Sequence, residues 1–469
     1  MTNDTTGATA AGARVPGSIF RAYDIRGVVD ETLTEEVVYH IGRAIGSEAR
    51  DKGQTRVVVA RDGRLSGPLF VAALTRGLCA SGCDVTDIGC VATPVLYFAT
   101  YHLDTGAGVM VTGSHNPPNY NGLKIVLGGE AISGEAIQTL RRRIESGDLH
   151  DGEGRLDTMD VLPAYIDRIV ADVELQRPLK VAVDCGNGVA GNVLPRLLRA
   201  MGCEVVELYC DVDGRFPNHH PDPSQPQNLE DLREAVRHEE ADVGLAFDGD
   251  GDRLGVIDSA GKVIWPDRVM MLYAMDLLER HPGARIMFDV KCTRNLAEII
   301  ERAGGEAVMS KTGHSLIKAG MKASGALLAG EMSGHIFFKE RWYGFDDAAY
   351  AAARLLELLS RTEARSCEVF SALPEAVSTP ELHIQLQEGE QFKFMEQVLA
   401  RAAFDGAEVT TIDGVRADFE DGWGLIRASN TTPWLILRFE GSTPTAMARI
   451  QDQFRALLLS IRGDLSMPF

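Results

Sequence analysis

Short apolar runs alternate along the chain with longer stretches in which apolar and polar residues recur at helical spacing. Three of these runs end at an aspartate within or before a turn: Arg56 to Gly63, Lys180 to Gly186 and Arg285 to Asp289. A helix-like stretch follows each run, and then a second strand that begins after Gly82, Gly202 or Gly305. The pattern predicts strand, helix and strand in that order, three times over.

A third apolar strand in each copy leads directly into an unusual loop. GVMV leads into TGSHNPP at Thr112, DVGLAF into DGDGDR at Asp248, and ALLA into GEMSGH at Gly330. The register recurs every ~105 to 120 residues, as repetition of one domain would give. Strands that alternate with helices indicate α/β layers with mostly parallel sheets, whose ligands gather at the carboxyl ends of the strands. We therefore expect three related domains, each contributing one loop to a shared cleft.

The length of the chain leads to a similar division. A chain of 469 residues is too long for one hydrophobic core and typically forms roughly three or four domains. The piece from about Pro374 onward lacks the repeated order and is expected to be a smaller α+β domain. We predict a disordered tail at residues 1–19 and domains at 20–158, 159–262, 263–373 and 374–469.

Composition argues against several classes of partner. Acidic residues outnumber basic ones, 67 to 47, and a net charge of −20 disfavours nucleic acids and anionic membranes. The eight cysteines include no C-x-x-C pair, which argues against a zinc knuckle or a redox dithiol and for reduced thiols. No signal peptide and no apolar window of ~18 residues is apparent. We expect a cytoplasmic protein, and a monomer.

The loop that begins at Thr112 places Ser114 directly after a glycine and ahead of two prolines. Glycine lets the backbone approach a ligand closely, and the following residues keep the turn from becoming a helix. Such a position suits an exposed nucleophile. The alternative is an ordinary serine in a turn, which caps its neighbours.

Asp248, Asp250 and Asp252 alternate with glycines, so the chain can wrap three carboxylates around one hard cation such as magnesium. A calcium-binding EF-hand is excluded because Arg253 and Ser259 stand where that motif needs glycine and glutamate. The alternative is a solvated acidic turn, but the mutual repulsion of three carboxylates favours a metal. Arg253 is suited to binding a phosphate oxygen.

Two further loops carry ligand-binding chemistry. The segment from Glu331 to His335 offers acceptors, a hydroxyl and an imidazole, which suit a polyhydroxylated ligand, with a capped turn as the alternative. The segment RASNTTP from Arg427 combines a guanidinium with hydroxyls and amides, which suit a phosphate, with a polar turn as the alternative.

One motif points elsewhere. Gly186 to Gly191 matches G-x-G-x-x-G after a predicted strand, which is the fingerprint of dinucleotide binding. However, Asp184 would place a negative charge against the pyrophosphate, and the other two copies of the repeat lack the pattern. We therefore expect no nicotinamide cofactor.

Six motifs, in this order and spacing, resemble the α-D-phosphohexomutase superfamily, most of all its bacterial phosphomannomutase/phosphoglucomutase branch: RAYDIRG, TGSHNPPNYNGLK, DGDGDR, KTGH, GEMSGH and RASNTTP. The resemblance runs from about Phe20 to about residue 460. It implies three related α/β domains and a smaller fourth domain around a central cleft. It also implies an intramolecular phosphotransferase that interconverts hexose 1-phosphate and hexose 6-phosphate, of mannose or glucose. The reaction would pass through a phosphoserine and a hexose 1,6-bisphosphate, with Mg²⁺ as cofactor and glucose 1,6-bisphosphate as activator.

The resemblance also assigns roles to residues. It implies that Ser114 carries the phosphoryl group and, with Asp248, Asp250 and Asp252, contacts the magnesium ion. Lys124, His335 and Arg253 would be the other catalytic residues, the first two as candidates for proton transfer. The remaining residues would bind the substrate: Tyr23, Arg26, Lys291, His314, Glu331, Met332, Ser333, Gly334, His335, Arg427, Ala428, Ser429, Asn430 and Thr431.

Three other functions stay open at this point. A mutase of glucosamine phosphate is the nearest, although Met332 in GEMSGH favours the mannose/glucose branch. A serine-linked, metal-assisted sugar phosphatase would use the same residues but release phosphate. A non-catalytic sugar-phosphate sensor is disfavoured by the intact Ser114 and aspartates. The preference between mannose and glucose and the pathway served do not follow from the sequence.

Overall fold

The structure is a computed structural model that describes residues 13–429 and 432–469, and these residues form four β-sheets with packed helices. The first sheet and its helices comprise β1 (Ile25–Val28), α1 (Glu35–Asp51), β2 (Arg56–Arg61), α2 (Gly67–Ala80), β3 (Asp84–Cys90), α3 (Thr93–His102), β4 (Gly108–Val111), β5 (Tyr120–Leu127), β6 (Glu130–Ala131), α4 (Glu135–Ser146) and β7 (Leu156–Thr158). The strand order is β1-β5-β4-β2-β3-β7, with β6 paired to β5.

The second sheet has five strands and continues the chain. Its elements are α5 (Leu162–Val170), β8 (Lys180–Asp184), α6 (Leu194–Ala200), β9 (Glu204–Leu208), α7 (Glu230–His238), β10 (Val243–Phe247), β11 (Leu254–Asp258) and β12 (Val263–Ile264). The strand order is β12-β11-β10-β8-β9.

The third sheet has four strands, and their order is β14-β13-β15-β16. Its elements are α8 (Pro266–Arg280), β13 (Arg285–Asp289), α9 (Arg294–Arg302), β14 (Glu306–Ser310), α10 (His314–Ser324), β15 (Leu328–Gly330), β16 (Ile336–Phe338), α11 (Ala348–Ser360) and α12 (Ser366–Ser371).

The last sheet differs from the other three because its strand pairs are antiparallel. Its elements are β17 (Val377–Ser378), β18 (Leu382–Gln385), α13 (Glu390–Arg401), β19 (Ala407–Thr410), β20 (Val415–Phe419), β21 (Gly422–Ala428), β22 (Trp434–Gly441) and α14 (Pro444–Ile461). The order is β17-β22-β21-β20-β19, with β18 also paired to β22.

The predicted threefold repeat is confirmed by strand order. The first three sheets share one arrangement, which reads β5-β4-β2-β3, β11-β10-β8-β9 and β16-β15-β13-β14. In each, the third strand of the copy pairs parallel with the first strand and antiparallel with the strand that follows the loop. The strands β4, β10 and β15 are buried along their whole length, which explains their unbroken apolar sequences.

Buried hydrophobic side chains hold these layers together. One large cluster runs from the first sheet through the second to the third, whereas the last sheet packs its own core around Phe394, Phe439 and Phe454. The last domain is tied to the third by arginine side chains. Arg416 donates hydrogen bonds to the carbonyl oxygens of Val290 at 2.7 Å and Cys292 at 2.9 Å.

The first residues that the structure describes differ from the sequence prediction. Gly17–Ile19 form a 3-10 helix, and Ile19 is buried in the core of the first domain. The predicted disordered tail is therefore wrong for this stretch, while residues 1–12 of it lie outside the described part. The predicted domain boundaries at 158, 262 and 373 stay predictions. Among the residues that the structure describes, no helix is both long and apolar enough to cross a membrane.

Candidate active site

Ser114 lies on the loop of residues 112–119, between β4 and β5. Its N–H donates a hydrogen bond to Thr112 Oγ1 at 2.8 Å, and that hydroxyl donates to Asp62 Oδ2 at 2.8 Å. The Gly113 N–H also donates to Asp62, at 3.0 Å. These contacts hold Ser114 at φ 47°, in the left-handed region that residues other than glycine rarely occupy. The surrounding bonds therefore fix a strained position for Ser114.

Arg64 supports the same loop from inside the domain. Its guanidinium donates to four backbone carbonyl oxygens at 2.8, 2.6, 2.6 and 2.9 Å, those of Ser114, Asn116, Pro117 and Tyr120. The side chain of Arg64 is completely buried and pairs with Asp62 at 3.2 Å. A Cβ atom on Gly113 would lie 2.2 Å from Arg64 Cζ, so any other residue there would displace the guanidinium from these bonds.

Arg26 and a histidine of the second domain contact the outer side of the Ser114 loop. Arg26 is buried on β1 and donates to Gly113 O at 2.5 Å and also to Asn116. His220 contacts the carbonyl oxygen of His115 through its Nε2 atom. The loop is thus held between two domains.

Asp248, Asp250 and Asp252 lie on the loop between β10 and β11, next to Ser114. All three are completely buried, and they offer ligand oxygens within 4.8 Å of one another. Ser114 Oγ donates to Asp248 Oδ2 at 3.0 Å, and Thr93 Oγ1 donates to Asp250 Oδ2 at 2.6 Å. The structure therefore brings together the predicted nucleophile and all three predicted metal ligands.

The three aspartates fit a hard divalent cation. Oδ1 of Asp250 and Oδ1 of Asp252 are buried without a hydrogen-bond partner among the described residues. Buried acceptors without a partner are rare in proteins, and an all-oxygen ligand set is the one that magnesium prefers. A second group, Asp252 with His335 and Asp346, also places its ligand atoms within 4.8 Å. Its imidazole makes this second group less suited to magnesium.

Lys124 projects from β5 into the aspartate cluster. Its ammonium donates to Asp250 Oδ2 at 2.7 Å and also to Asp252. Burial alone would lower the pKa of Lys124, but the two carboxylates outweigh burial and raise this pKa well above its ordinary value. Burial and repulsion from the two other aspartates raise the pKa of Asp248 well above its ordinary value. Lys124 therefore holds its proton firmly in this arrangement.

His335 is oriented by charged neighbours on both ring nitrogens. Arg253 Nε donates to His335 Nε2 at 3.1 Å. Since a guanidinium has no acceptor, the proton of a neutral His335 belongs on Nδ1. That nitrogen lies 3.2 Å from Asp346 and 3.6 Å from Asp252. Asp346 in turn accepts a hydrogen bond from Lys318 at 2.7 Å.

His314 completes this group. Its ring stacks on that of His335, with 5.4 Å between the ring centroids, and its centroid lies 6.4 Å from that of Tyr23. Burial, and then the nearby Lys318 ammonium, lower the pKa of His314 well below its ordinary value. His314 is therefore neutral in this environment.

The predicted sugar-binding loop lies between β15 and β16. Its Glu331 N–H donates to the carbonyl oxygen of His335 at 2.9 Å, which closes a tight turn through Met332 and Ser333. Gly334 has φ 100°, a conformation that favours glycine. The Glu331 side chain is buried, and burial is the main cause that raises its pKa.

The turn of residues 311–314 connects this loop with the first domain. Gly313 donates its N–H to the carboxylate of Glu331. The Tyr23 hydroxyl donates to the carbonyl oxygen of Thr312 at 3.1 Å. A Cβ atom on Gly313 would lie 2.8 Å from the ring of Tyr23, so glycine permits this approach.

The fourth domain contributes Arg427 at the end of β21. Arg427 is buried, and its Nε donates to Asp413 Oδ2 at 2.9 Å. Ala428 follows it on the strand, and Ser429 Oγ accepts hydrogen bonds from both the N–H and the hydroxyl of Thr432, at 3.2 and 2.8 Å. The predicted substrate-binding residues Asn430 and Thr431 lie outside the described residues.

Lys291 links the third domain to the fourth. Its ammonium donates to Glu381 Oε1 at 2.6 Å. Burial would raise the pKa of Glu381, but the Lys291 ammonium outweighs burial and lowers this pKa to about 2. Arg427 and Lys291 lie near this contact of the third and fourth domains, whereas Ser114, Lys124 and the aspartates lie at the contact of the first two domains.

Comparisons with known proteins agree with this arrangement. Family models of phosphoglucomutase/phosphomannomutase match four successive segments: alpha/beta/alpha domain I at residues 17–151, domain II at 163–261, domain III at 265–377 and the C-terminal domain at 381–457. A phosphomannomutase/phosphoglucomutase of Pseudomonas aeruginosa is 56% identical over 461 residues, which cover 98% of this chain and 100% of the relative. The chain belongs to the phosphoglucomutase/phosphomannomutase family. The superfamily resemblance of its motifs is thereby confirmed.

Other members of the phosphoglucomutase/phosphomannomutase family are similar over the same length. A phosphoglucomutase of Neisseria meningitidis serogroup A is 54% identical over 452 residues, which cover 96% of this chain and 98% of the relative. The crystal structure of a family protein from Burkholderia thailandensis has a TM-score of 0.93 at 53% identity, and the match covers 97% of this chain and 100% of the other. The similarity therefore extends over all four sheets.

Sequence reasoning missed several residues around this family site. Arg64, Thr93, Asp346 and Asp413 contact predicted site residues, and Asp62 contacts Thr112 and Gly113 next to Ser114. A signal for Asp62 was present, because the first strand of each repeat ends near an aspartate. Asp62 accepts from the N–H of Gly113, and its counterpart Asp289 accepts from that of Met332 at 3.3 Å. The repeated aspartates thus hold the loop of their own domain in two of the three copies.

Proposed function

We propose that this chain is a phosphohexomutase that interconverts hexose 1-phosphate and hexose 6-phosphate, with mannose or glucose as the sugar. The observation that carries the proposal is the contact of Ser114 with Asp248 at 3.0 Å inside a fully buried cluster of three aspartates. Membership of a family whose relatives are named phosphomannomutase/phosphoglucomutase supports the same reaction. The chain is then an isomerase.

The proposed cycle begins with a phosphoryl group on Ser114. The free hydroxyl of a hexose monophosphate attacks phosphorus, the bond between phosphorus and Ser114 Oγ breaks, and a hexose 1,6-bisphosphate forms. The bisphosphate turns end for end, and Ser114 Oγ then takes the other phosphoryl group. Glucose 1,6-bisphosphate, as an activator, would phosphorylate Ser114 at the start.

The cation is Mg²⁺ in this proposal, held by Asp248, Asp250 and Asp252 with an oxygen on Ser114. Magnesium, when bound, supplies positive charge that stabilises the transferring phosphoryl group. Arg253 and Lys124 add cationic groups beside the same oxygens. Such preorganised charge is commonly the largest contribution to catalysis of phosphoryl transfer.

Proton transfer is assigned to Lys124 and His335. The attacking sugar hydroxyl must lose its proton, and the oxygen of Ser114 must gain one when it leaves without a phosphoryl group. Lys124 is protonated between two carboxylates, so of the two transfers it can make only the donation, and its contacts with these carboxylates must loosen before it gives up the proton. Arg253 fixes the tautomer of His335. A histidine that transfers protons needs a fixed tautomer, because it must accept or donate through one defined nitrogen.

The remaining predicted residues bind the substrate in this proposal. Glu331, Met332, Ser333, Gly334 and His335 contact sugar hydroxyls, while Tyr23, Arg26, Lys291 and His314 line the cleft. The phosphate that does not react is held by Arg427, Ala428, Ser429, Asn430 and Thr431. This clamp must accept either phosphate of the sugar, since the bisphosphate binds in two orientations. The protein would act in the cytoplasm as a monomer, without a nucleic-acid or membrane partner, in keeping with its net charge of −20.

A phosphate-accounting assay tests the proposal. The protein is given Mg²⁺, a trace of glucose 1,6-bisphosphate and either mannose, glucose or glucosamine 1-phosphate, and both sugar 6-phosphate and free phosphate are measured. We expect conversion of the mannose or glucose substrate without phosphate release, and its loss in Ser114→Ala. The control is Ser146→Ala, since Ser146 is an exposed serine at the end of α4.

Each alternative function has its own result in this assay. Free phosphate as the main product would establish a phosphatase, and conversion of glucosamine 1-phosphate in preference to the other sugars would establish a glucosamine phosphate mutase. Full activity of Ser114→Ala would overturn the phosphoserine mechanism.

A further inference from the structure

Asp413 lies between Arg427 and the turn of residues 311–314, and no sequence motif pointed to it. It is on the turn between β19 and β20 of the fourth domain, next to Gly414. One of its carboxylate oxygens, Oδ2, accepts two hydrogen bonds, from Arg427 Nε at 2.9 Å and from the Thr312 N–H at 3.0 Å. The first donor belongs to the proposed phosphate clamp and the second to the third domain.

The backbone around Asp413 is shaped to make this contact. Gly414 has φ 81°, and a Cβ atom on it would lie 2.2 Å from Ile426 O and 2.7 Å from the Cα atom of Arg427. Only glycine lets the turn press this closely against the strand that carries Arg427. Val415, which follows, pairs with Ile426 in the sheet, so the position of the turn is fixed on both sides.

The bond to Arg427 uses the inner nitrogen of the guanidinium. A contact through Nε fixes the plane of the group but consumes neither of its two terminal nitrogens. Terminal guanidinium nitrogens are the donors that bind phosphate oxygens in pairs. Asp413 thus orients Arg427 without competing for the face with which Arg427 would bind phosphate.

The second bond connects the clamp with the rest of the cleft. Thr312 accepts from the Tyr23 hydroxyl of the first domain at 3.1 Å, and the adjacent Gly313 donates to Glu331 of the sugar-binding loop. The backbone of Thr312 and Gly313 therefore joins Asp413 to Tyr23 and Glu331, which are proposed to line the cleft and to bind the sugar. The distance between the phosphate clamp and the sugar-binding loop is set through this turn.

We infer that Asp413 is a positioning residue for the phosphate that does not react: it orients Arg427 and holds the fourth domain against the turn of residues 311–314. The inference rests on the proposed function, because it presumes that Arg427 binds a substrate phosphate. Asp413 touches neither Ser114 nor the aspartate cluster in any contact that the structure describes. Its loss should therefore weaken substrate binding and leave phosphoryl transfer at saturating substrate nearly intact.

The test compares Asp413→Ala and Asp413→Asn with the unaltered protein. A charge-assisted hydrogen bond contributes a factor of about ten or more to an equilibrium constant. We expect KM for glucose 1-phosphate to rise about tenfold or more in Asp413→Ala, with kcat within about threefold. Asparagine keeps one acceptor oxygen for both donors, so Asp413→Asn should recover part of the loss. Asp421→Asn is the matched control, since Asp421 pairs with the exposed Arg449 on the same domain.

Further readouts separate positioning from simple loss of stability. A destabilised protein would lose active molecules and hence kcat, without a change in KM. Binding of glucose 1-phosphate to proteins that also carry Ser114→Ala, measured by calorimetry, should weaken by the same factor as KM rises. If Asp413→Ala fails to fold, Asp413→Ser decides the matter, because serine is too short to reach either donor.

The inference is overturned if KM of the alanine or serine variant stays within about twofold of the unaltered protein. It is also overturned if Asp413→Asn is no better than alanine, since an acceptor oxygen would then not be the feature that counts. Failure of the proposed function looks different: the unaltered protein would convert no hexose phosphate, whatever stands at position 413.

Discussion

Removal of Arg64 is expected to release the loop that carries Ser114. The side chain of Arg64 is completely buried and pairs with an equally buried Asp62. In Arg64→Ala, the Asp62 carboxylate loses its cationic partner, and four backbone carbonyl oxygens of residues 114–120 lose a donor. The change lies outside the chemistry proposed for Ser114, so it tests whether the loop needs this support to keep its shape.

The size of the effect follows from the buried ion pair. Removing one partner of a buried pair costs about 3–5 kcal/mol. Water that enters the vacated space can hydrate the carbonyl groups, so we add nothing for them. Since ~1.4 kcal/mol is a factor of ten, the population of the open loop should rise about 10² to 4 × 10³ times. The N–H groups of Ser114 and Asn116, which are bonded within the loop, should exchange faster by that factor.

The assay is hydrogen exchange of the full-length protein, read by mass spectrometry on peptides that contain residues 112–121. Arg64→Lys should fall between the two extremes, because an ammonium cannot reach four carbonyl groups as a planar guanidinium does. Arg76→Ala is the control. Arg76 pairs with Glu35 at the surface, with both side chains about half exposed, and such a pair contributes little.

Two results would refute this reasoning. Exchange of the loop in Arg64→Ala that rises less than tenfold, with kcat retained, would mean that the loop keeps its shape without the guanidinium. A double variant that adds Asp62→Asn to Arg64→Ala should recover part of the loss, because no uncompensated buried charge is left. No recovery would mean that the hydrogen bonds, and not the buried charge, dominate.

Three more predictions concern the metal site, a domain contact and a histidine. Asp252→Asn removes one of the three clustered carboxylates, so the Mg²⁺ concentration for half-maximal activity should rise about tenfold or more. The increase in thermal midpoint that Mg²⁺ produces should become smaller. An unchanged dependence on Mg²⁺ would contradict the proposed metal site. Gly313→Ala places a Cβ atom 2.8 Å from Tyr23 at φ 137° and should cost about 1–3 kcal/mol in thermal unfolding, whereas Gly325→Ala, at φ 75° in open space, measures backbone strain alone. Burial would lower the pKa of His219, but Asp184 outweighs it and raises that pKa. The pair of His219 with Asp184 therefore stabilises the fold fully below about pH 6.5, and this stabilisation is lost as the pH rises through the folded-state pKa of His219. His219→Gln should therefore lower the thermal midpoint more at pH 6 than at pH 9, and equal losses at both would contradict this.

The repeat could be predicted because its signals are local. Each strand that leads to a cleft loop is a short apolar run before glycine, and strand order confirmed all three copies. The aspartate cluster was equally readable, since alternate carboxylates can meet on one turn without help from distant residues. The structure of residues 17–19 was missed because Val15, Ile19 and Phe20 stand among small and polar residues without a helical or strand period, and their burial depends on a core formed by later segments.

The supporting residues could not be predicted because their roles depend on contacts distant in sequence. Arg64 bonds a loop about fifty residues away, and Asp413 contacts the turn at Thr312 about a hundred residues earlier. Each stands in a short polar turn whose composition is common to many surface loops. Asp346 precedes α11 beside Asp347, where an aspartate ordinarily caps a helix. Asp347 is the cap, and Asp346 faces His335 instead.

The strands on either side of each loop explain how three sheets of the same strand order can hold three kinds of chemistry. Each cleft loop joins two antiparallel neighbours, β4 to β5, β10 to β11 and β15 to β16. The last paired residues before and after each loop are therefore held about 5 Å apart by the sheet itself, and they are Val111 with Leu123, Phe247 with Leu254 and Gly330 with Ile336. Residues between such fixed ends can be replaced, added or removed without a change in strand order. Three sheets with one strand order can thus carry three different loops, and the asymmetry of the site requires no asymmetry of the framework.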